Sequence, residues 1–330
     1  MKAIVQSKFG SARDVLKLTE IDTPTPDKAD VLVKVHAAAI HIGDYYTIAG
    51  LPYVMRPMFS AMRAKNRVPG MDIAGTVEAV GDEVTQFHPG TEVFGLYKGA
   101  FAEYALFPER SLAVKPDNLT FEQASTLGVS ALTALQALRD QGMVQPGQKV
   151  LITGASGGVG TFAVQIAKTL GAEVTGVCST RNIEMVRSIG ADHVIDYTRE
   201  DFTEGDRQYD LIFDNVKSQS LSQTRRALTP TGRLLANGAP VGGWFGGLTD
   251  SIAAFSSSVF VRQQSRPFVS TSNPEDLAAL KELAEAGKLT PVLDKSYPLD
   301  ETPDAVSHVG EGHAQGKTVV TVDATGAQGE

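Results

Sequence analysis

The stretch from Val150 to Gly160, VLITGASGGVG, carries the residue types and spacing that bear most directly on chemistry. It follows a short apolar run, KVLIT, that reads as a buried strand, and it opens an amphipathic run, GGVGTFAVQIAKTLGA. The spacing is that of a GxGxxG fingerprint, with Ala155 in the first glycine position, Gly157 in the second and Gly160 in the third. Gly157 lets backbone approach a pyrophosphate, which then meets the N–H groups and positive end of the helix. Gly160 lets that helix pack closely on its strand. The loop candidates are therefore Ala155, Ser156, Gly157, Gly158, Val159 and Gly160. No Lys-Ser or Lys-Thr follows, which excludes a nucleoside-triphosphate P-loop.

The end of the next strand, EVTGVC, bears on the form of the cofactor. Enzymes that use NAD place an Asp or Glu about 20 residues on, against the ribose 2′-hydroxyl. Here that region reads Cys178, Ser179, Thr180, Arg181, with no acid. Hydroxyls and a guanidinium suit a 2′-phosphate, so Ser179, Thr180 and Arg181 predict NADPH.

These residues need a scaffold, and the pattern supplies one. The first hundred residues are short β-like runs (AIVQ, VLVKVHAAAI, DIAGTVEAV, EVFGLY, AFAEYALF) punctuated by Gly, Pro and Asp, which predicts a curled sheet or partly open barrel. A helical period there is confined to the region around Tyr45 to Tyr53. FEQASTLGVSALTALQALRDQG reads as one helix ending at Gly142. Strands and helices then alternate (KVLITG, EVTGVC, HVID, YDLIFD, GRLLAN), with Asn182 as the N-cap of one helix, predicting βαβ crossovers and a parallel sheet. A further strand is expected at Pro267 to Ser270. After it comes a helix capped by Asn273, with Pro274 at its first position and Gly287 beyond its end. The expected fold class is α/β, a doubly wound parallel sheet plus a mostly-β domain.

At 330 residues the chain has room for two cores. A hydrophobic fraction of 42% and a charged fraction of 21% are those of a globular protein. The net charge of −8 argues against a nucleic-acid partner. Cys178 is the single cysteine, so no intramolecular disulfide forms. With no signal-like start and no membrane-spanning run, the expected compartment is the cytoplasm.

The sequence resembles the medium-chain dehydrogenase/reductase superfamily, and within it the quinone oxidoreductase branch. The resemblance spans the chain through KAIVQ, VPGMDIAGTVEAVGDEV, GASGGVG, GADHVIDY, AEAGKLTPVLDKSYPLDET and QGKTVV. It implies a GroES-like catalytic domain built from both chain ends, with a Rossmann domain between them. The expected division is 1–122 for the first part of the catalytic domain and 123–265 for the Rossmann domain. Residues 266–330 would supply a sheet extension, a helix and the return to the catalytic domain. The resemblance also implies cofactor roles for Tyr197 at the adenosine phosphate and for Asn215, Val216, Gly238 and Ala239 near the ribose and nicotinamide. Thr133 falls at a position under the nicotinamide, and Lys317 at a basic position near the cofactor.

Zinc-dependent relatives use a Cys, a His-Glu pair and a further Cys or Asp, and often add a four-Cys site. Here the His-Glu position reads Met71-Asp72, and a single cysteine cannot supply the structural site. His308 and His313 read as solvated. Without a Lewis acid, the expected acceptor is one activated by its own conjugation, a quinone or the C=C of an α,β-unsaturated carbonyl. The family's active-site segment reads AIHIGDYYTIAGLPY, with His41 in place of the usual Asn, Asp44 retained and Tyr46 at a tyrosine that lines the site. The candidate catalytic residues are Tyr46, His41 and Asp44. MRPMFSAM reads either as a pocket wall or as core. Other readings are an enoyl-thioester reductase, with Arg56, Arg63, Lys65 and Arg67 as carrier-phosphate candidates, and a non-catalytic NADPH-binding redox sensor. Trp244 is assigned to either the nicotinamide end or a subunit contact, and the resemblance suggests a homodimer.

Overall fold

The computed structural model describes residues 1–65, 67–237, 264–267, 270–312 and 314–322, with backbone only at 62–65 and 264–267. Gly238, Ala239, Trp244, His313 and the side chains of Arg63 and Lys65 therefore lie outside the described residues. The chain forms two compact units, Met1–Leu132 with Ser272–Glu330, and Thr133–Thr271. The first division falls within a helical run and the second just after the last strand of the parallel sheet.

The first unit begins with β1 (Lys2–Gln6) and β2 (Leu16–Glu20), an antiparallel ribbon. Then come β3 (Asp30–Ile40), β4 (Asp72–Val80), β5 (Glu92–Leu96), β6 (Tyr104–Pro108) and β7 (Leu112–Val114). The second unit holds β8 (Lys149–Thr153), β9 (Glu173–Cys178), β10 (His193–Asp196), β11 (Tyr209–Asp214), β12 (Leu228–Ala236) and β13 (Gln264–Pro267). The chain returns to the first unit with β14 (Leu293–Pro298) and β15 (Lys317–Thr321).

β3 organises the first unit. Its first half pairs with β6 and its second half with β15, while β4 runs along its other edge. Val31, Val33, Val35, Ala37, Ala38 and Ala39 are all fully buried, so this strand is covered on both faces. Two register shifts against β4 curl the seven-stranded sheet, as bulges do. The pairing of β15 with β3 brings the C-terminal strands into the sheet begun by the N-terminal ones.

In the second unit the strand order is β10-β9-β8-β11-β12-β13, all parallel. This is the Rossmann order, built out from β8 in both directions. The described strand β13, Gln264–Pro267, pairs with β12 and meets the strand expected at Pro267 to Ser270 at Pro267, while residues 268 and 269 lie outside the described residues. Among the described residues no helix is long and apolar enough to cross a membrane.

Two helices depart from expectation. MRPMFSAM is helical, with Met55 ending the 3₁₀ turn Tyr53–Met55 and the rest lying within the helix Arg56–Lys65. The run expected to be one helix up to Gly142 is broken. Phe121–Ser125 is α-helical, and Leu127–Ala131 and Gln136–Gln141 are widened to the π form on either side of Leu132–Leu135. The break centres on Gly128 (φ −56, ψ −111). Its cause is the buried carboxylate of Asp72, described below.

Candidate functional site

The sheet of the second unit reverses direction of growth between β8 and β11, and a doubly wound sheet binds its ligand beyond the carboxyl ends of its strands at that switch. The loops there are tightly tied. The Thr153 hydroxyl donates to Asp214 Oδ1 (2.7 Å) and accepts the backbone N–H of Asn215 (2.9 Å), while Asn215 Nδ2 donates to the Thr153 carbonyl. Asn237 Nδ2 reaches Asn215 Oδ1 at 2.9 Å. Gly154 has φ +61, and a Cβ there would lie 2.8 Å from Val216 Cγ2. At Gly160 a Cβ would meet the Gly154 carbonyl oxygen at 2.0 Å, backbone that cannot turn aside. At Gly157 a Cβ would touch only that oxygen, at 3.3 Å.

The helix Gly158–Thr169 begins at Gly157, which supplies no side-chain cap. The N–H groups of its first turn lack intrahelical acceptors and suit an anion. Ala155 is buried and Val159 half-buried. Ser156 accepts a hydrogen bond from Asn182 Nδ2 (2.8 Å). Asn182 thus fixes the glycine-rich loop instead of capping the helix Ile183–Ser188, for which it makes no side-chain cap. The observed loop fits a dinucleotide pyrophosphate, with close backbone where Gly160 requires it and open approach at Gly157. Tyr197 and Val216 are 62% and 58% exposed, large apolar surfaces at the same carboxyl ends. Thr133 Oγ1 sits 2.9 Å from Ser270 Oγ.

The sequence window that lacks an acid is not acid-free in space. Asp196 ends β10 in register with Cys178, so its carboxylate lies beside the 179–181 loop. The hydroxyl of Thr180 donates to Asp196 Oδ2 (2.5 Å) and that of Thr198 to Oδ1 (2.7 Å). These hydrogen bonds, that from Thr180 foremost, hold Asp196 below the usual carboxylate range. Thr180, expected as a phosphate ligand, spends its hydroxyl proton on Asp196, and Ser179 and Arg181 remain beside it. The Cys178 thiol is buried in β9 and pushed up to about 11, chiefly by desolvation and then by Asp196.

In the first unit, His41 and Asp44 form a reciprocal turn at the start of the helix Ile42–Ala49. The His41 backbone N–H donates to Asp44 Oδ2 (3.0 Å), and His41 Nε2 lies 3.4 Å from Asp44 Oδ1. Asp44 is buried, and desolvation raises it to about 7, against the opposing hydrogen bond from His41 and the charge of Lys317. Desolvation likewise pushes His41 down to about 4. Tyr46, on the same helix, is partly buried, and its ring meets Tyr45 edge-on at 5.7 Å.

Lys317, which the resemblance puts at a basic position near the cofactor, is a buried cation. It starts β15 in the interior, 1% exposed, and its ammonium donates to the Ile40 carbonyl (2.9 Å) and Ser130 Oγ (3.0 Å). Asp72 Oδ2 lies 3.8 Å away. Asp72 is fully buried. Its Oδ1 accepts the Val129 N–H (2.8 Å) and fills the space where a Gly128 Cβ would stand, 2.3 Å away. Desolvation raises Asp72 to about 6, with Lys317 the leading opposing influence. The helix breaks here because carboxylate and backbone meet where only glycine leaves room.

Asp72, Gly128 and Ser130 were missed as a group because strand and helix are far apart in sequence; the one signal was the acid beside Met71. Asp196 is not apparent along the EVTGVC strand because it comes from the parallel neighbour, in register with Cys178.

Residues 27–117 match the family described as "Alcohol dehydrogenase GroES-like domain", and residues 189–320 the one described as "Zinc-binding dehydrogenase". The mouse mitochondrial protein named NAD(P)H oxidoreductase RTN4IP1 is 33% identical, across 98% of this chain and 89% of that protein. This chain belongs to the medium-chain dehydrogenase/reductase superfamily. It falls in the quinone oxidoreductase-like branch. The NADPH-dependent alkenal/one oxidoreductase of Arabidopsis thaliana chloroplasts is 33% identical, across 97% of this chain and 79% of that protein. The solved quinone oxidoreductase of Coxiella burnetii is 30% identical with a TM-score of 0.85, covering 98% of this chain and 99% of that one. The superfamily member described here is an oxidoreductase that uses a nicotinamide dinucleotide. The carboxyl ends of β8 to β12 are the part of the second unit that suits this cofactor.

Proposed function

We propose that this oxidoreductase is an NADPH-dependent reductase that transfers hydride, without zinc, to a quinone or to the C=C of an α,β-unsaturated carbonyl. The observation that carries the reading is the state of Asp72. It occupies the place of the Glu in the His-Glu pair of zinc-dependent relatives, with Met71 where the His would be. Its Oδ1 accepts the Val129 N–H, and its Oδ2, buried with no hydrogen-bond partner, has the Lys317 ammonium 3.8 Å away to balance its charge. The single cysteine lies inside β9. The relatives named for quinones and for alkenals and enones support the same acceptor class.

When bound, the dinucleotide supplies a hydride; the rest falls to this chain's own residues. Hydride addition to a conjugated acceptor places negative charge on a carbonyl oxygen, which needs a hydrogen-bond donor and then a proton. Tyr46 is the donor. Asp44 holds a proton near neutral pH because burial raises it, and the neutral His41 beside it offers Nε2 as the relay. Ser179 and Arg181 take the 2′-phosphate, since the neighbouring acid is consumed by Thr180 and Thr198. Tyr197 lies at the adenosine phosphate, Asn215 and Val216 near the ribose and nicotinamide, and Thr133 under the nicotinamide. Two copies pair through the sheet edge at β13.

The test is NADPH and NADH oxidation measured with a panel of quinones, 2-alkenals, enones and enoyl thioesters, before and after chelator treatment. Turnover of quinones or enones with NADPH that survives the chelator is expected. Activity lost to the chelator refutes the zinc-free mechanism, and turnover confined to enoyl thioesters refutes the acceptor class. Arg56, one candidate for a carrier phosphate, is already engaged, its Nε donating to the Gly50 carbonyl and its guanidinium lying over the Phe9 and Tyr53 rings.

A further inference from the structure

Two loops of the second unit are bound side by side through one carboxylate. Asp196 accepts the Thr180 hydroxyl, the Thr198 hydroxyl (2.7 Å) and the Thr198 N–H (3.0 Å), and the two hydroxyl oxygens lie 3.1 Å apart. The turn after β10 is closed by the Arg199 and Glu200 N–H groups, both donating to the Asp196 carbonyl. Each latched threonine is followed directly by an arginine, Thr180 by Arg181 and Thr198 by Arg199. The latch therefore presents two guanidinium-bearing residues at one end of the sheet, next to the exposed Tyr197. Arg199 touches the carboxylate only loosely, Nε to Oδ2 at 3.5 Å, and its side chain is 74% exposed. That contact is solvent-exposed, and the acid already accepts three other hydrogen bonds, so Arg199 can turn to another anion at small cost.

We propose that Arg199 is a second ligand of the NADPH 2′-phosphate, opposite Arg181, and that Asp196 is the positioning residue that sets the spacing of the two. The inference rests on the NADPH reading above and deepens it. The electrostatics are consistent: a 2′-phosphate beside the anionic Asp196 needs more than one cation, and the two arginines supply both. A planar guanidinium also suits phosphate oxygens better than a lysine would. Glu200, exposed beside Arg199, adds negative charge that weakens but does not remove this balance.

The experiment uses the full chain and measures binding of NADPH, NADH, 2′,5′-ADP and 5′-AMP by calorimetry. In the unsubstituted protein 2′,5′-ADP should bind at least tenfold more tightly than 5′-AMP; no preference would overturn the cofactor reading together with this inference. Given that preference, Arg199→Ala should weaken NADPH and 2′,5′-ADP about tenfold, moving NADH and 5′-AMP less than twofold, and Arg199→Lys should recover part of the loss. Equal effects on phosphorylated and unphosphorylated ligands would overturn the inference alone. Asp196→Asn should lower the NADPH-to-NADH affinity ratio with little change in NADH binding. A carboxylate that merely held the fold would move both cofactors alike, and that result would remove its positioning role.

Discussion

Replacing Lys317 with Met should destabilise the first unit strongly, and by an amount that grows with pH. The ammonium is the cation nearest a fully buried carboxylate, 3.8 Å from Asp72 Oδ2, and it also donates to the Ile40 carbonyl and Ser130. Methionine fills much of the volume but leaves Asp72 with the Val129 N–H as its main support. Breaking a buried pair from one side costs about 3–5 kcal/mol when the remaining charge must stay ionised. The carboxyl can escape by taking a proton, and that fixes the sign. Asp72 already stands raised to about 6, against an unfolded value of about 3.9. In the unsubstituted protein its contribution therefore falls between about pH 4 and 6 and is level above that. Without Lys317 the folded value rises further, so the falling window extends upward at about 1.4 kcal/mol per pH unit. The loss should thus be about 2–3 kcal/mol larger at pH 8 than at pH 6. Asp44 also faces Lys317 and shifts in the same direction, reinforcing the trend. Hydrogen exchange at the Val129 amide reads this unit directly, which matters because a chain of two units need not unfold in one step. The double variant Asp72→Asn with Lys317→Met should recover most of the loss at pH 8. A loss below about 1 kcal/mol at pH 8, or one that does not change with pH, would refute the account of this pair.

Three further outcomes follow from the same geometry. Gly157→Ala adds a Cβ whose one neighbour is a carbonyl oxygen at 3.3 Å, so the melting temperature should hold within a few degrees. NADPH affinity should still fall about tenfold or more by calorimetry, because the added methyl stands where the pyrophosphate approaches. Gly128→Ala sets a Cβ 2.3 Å from Asp72 Oδ1 and must displace that carboxylate; chemical denaturation should show a loss of about 2–4 kcal/mol, against under 1 for an unstrained site. With a saturating enone, kcat should fall as pH rises through about 7, where Asp44 loses its proton, and Asp44→Asn should remove that inflection; an unchanged pH profile would exclude Asp44 as the proton store.

The second unit was largely legible from sequence because its signals are local. A strand, a glycine-rich turn and an amphipathic helix lie within twenty residues, and Gly157 and Gly160 stand where the steric demands of the loop place them. The first unit was legible only as β structure. Its sheet is closed by β15 pairing with β3, a contact across most of the chain that periodicity does not encode. The helix over Arg56–Lys65 escaped notice because Pro57 and scattered methionines blur its apolar face. The helix after Leu119 read as continuous because Ala and Leu dominate it, and the break at Gly128 is imposed by Asp72 from another strand. Lys317 read only as a basic residue near the cofactor because nothing in QGKTVV reveals that its ammonium is buried. The site residues that sequence reasoning missed are all of this kind, polar groups whose partners come from a neighbouring strand.

The buried polar residues of the first unit also bear on which acceptor the enzyme can take. Near neutral pH Lys317 balances Asp72, His41 is neutral, and Asp44 is divided between its two forms. The network thus offers no surplus positive charge for an anionic substrate, and an anion brought near a half-ionised Asp44 would meet repulsion in a low-dielectric interior. A neutral acceptor meets no such cost, and in the proposed mechanism Tyr46 and Asp44 supply its hydrogen bond and its proton. Within and directly after the segment proposed as catalytic, exposed apolar side chains include Ile42, Tyr53, Val54 and Met58. Apolar surface joined to a few placed polar groups is the usual make-up of a small-molecule site. A quinone or an enone presents an apolar body with a single carbonyl edge, whereas an acyl thioester on a carrier brings a phosphate as well. Charge and surface therefore favour the neutral conjugated acceptor, and they do so independently of the metal-ligand argument.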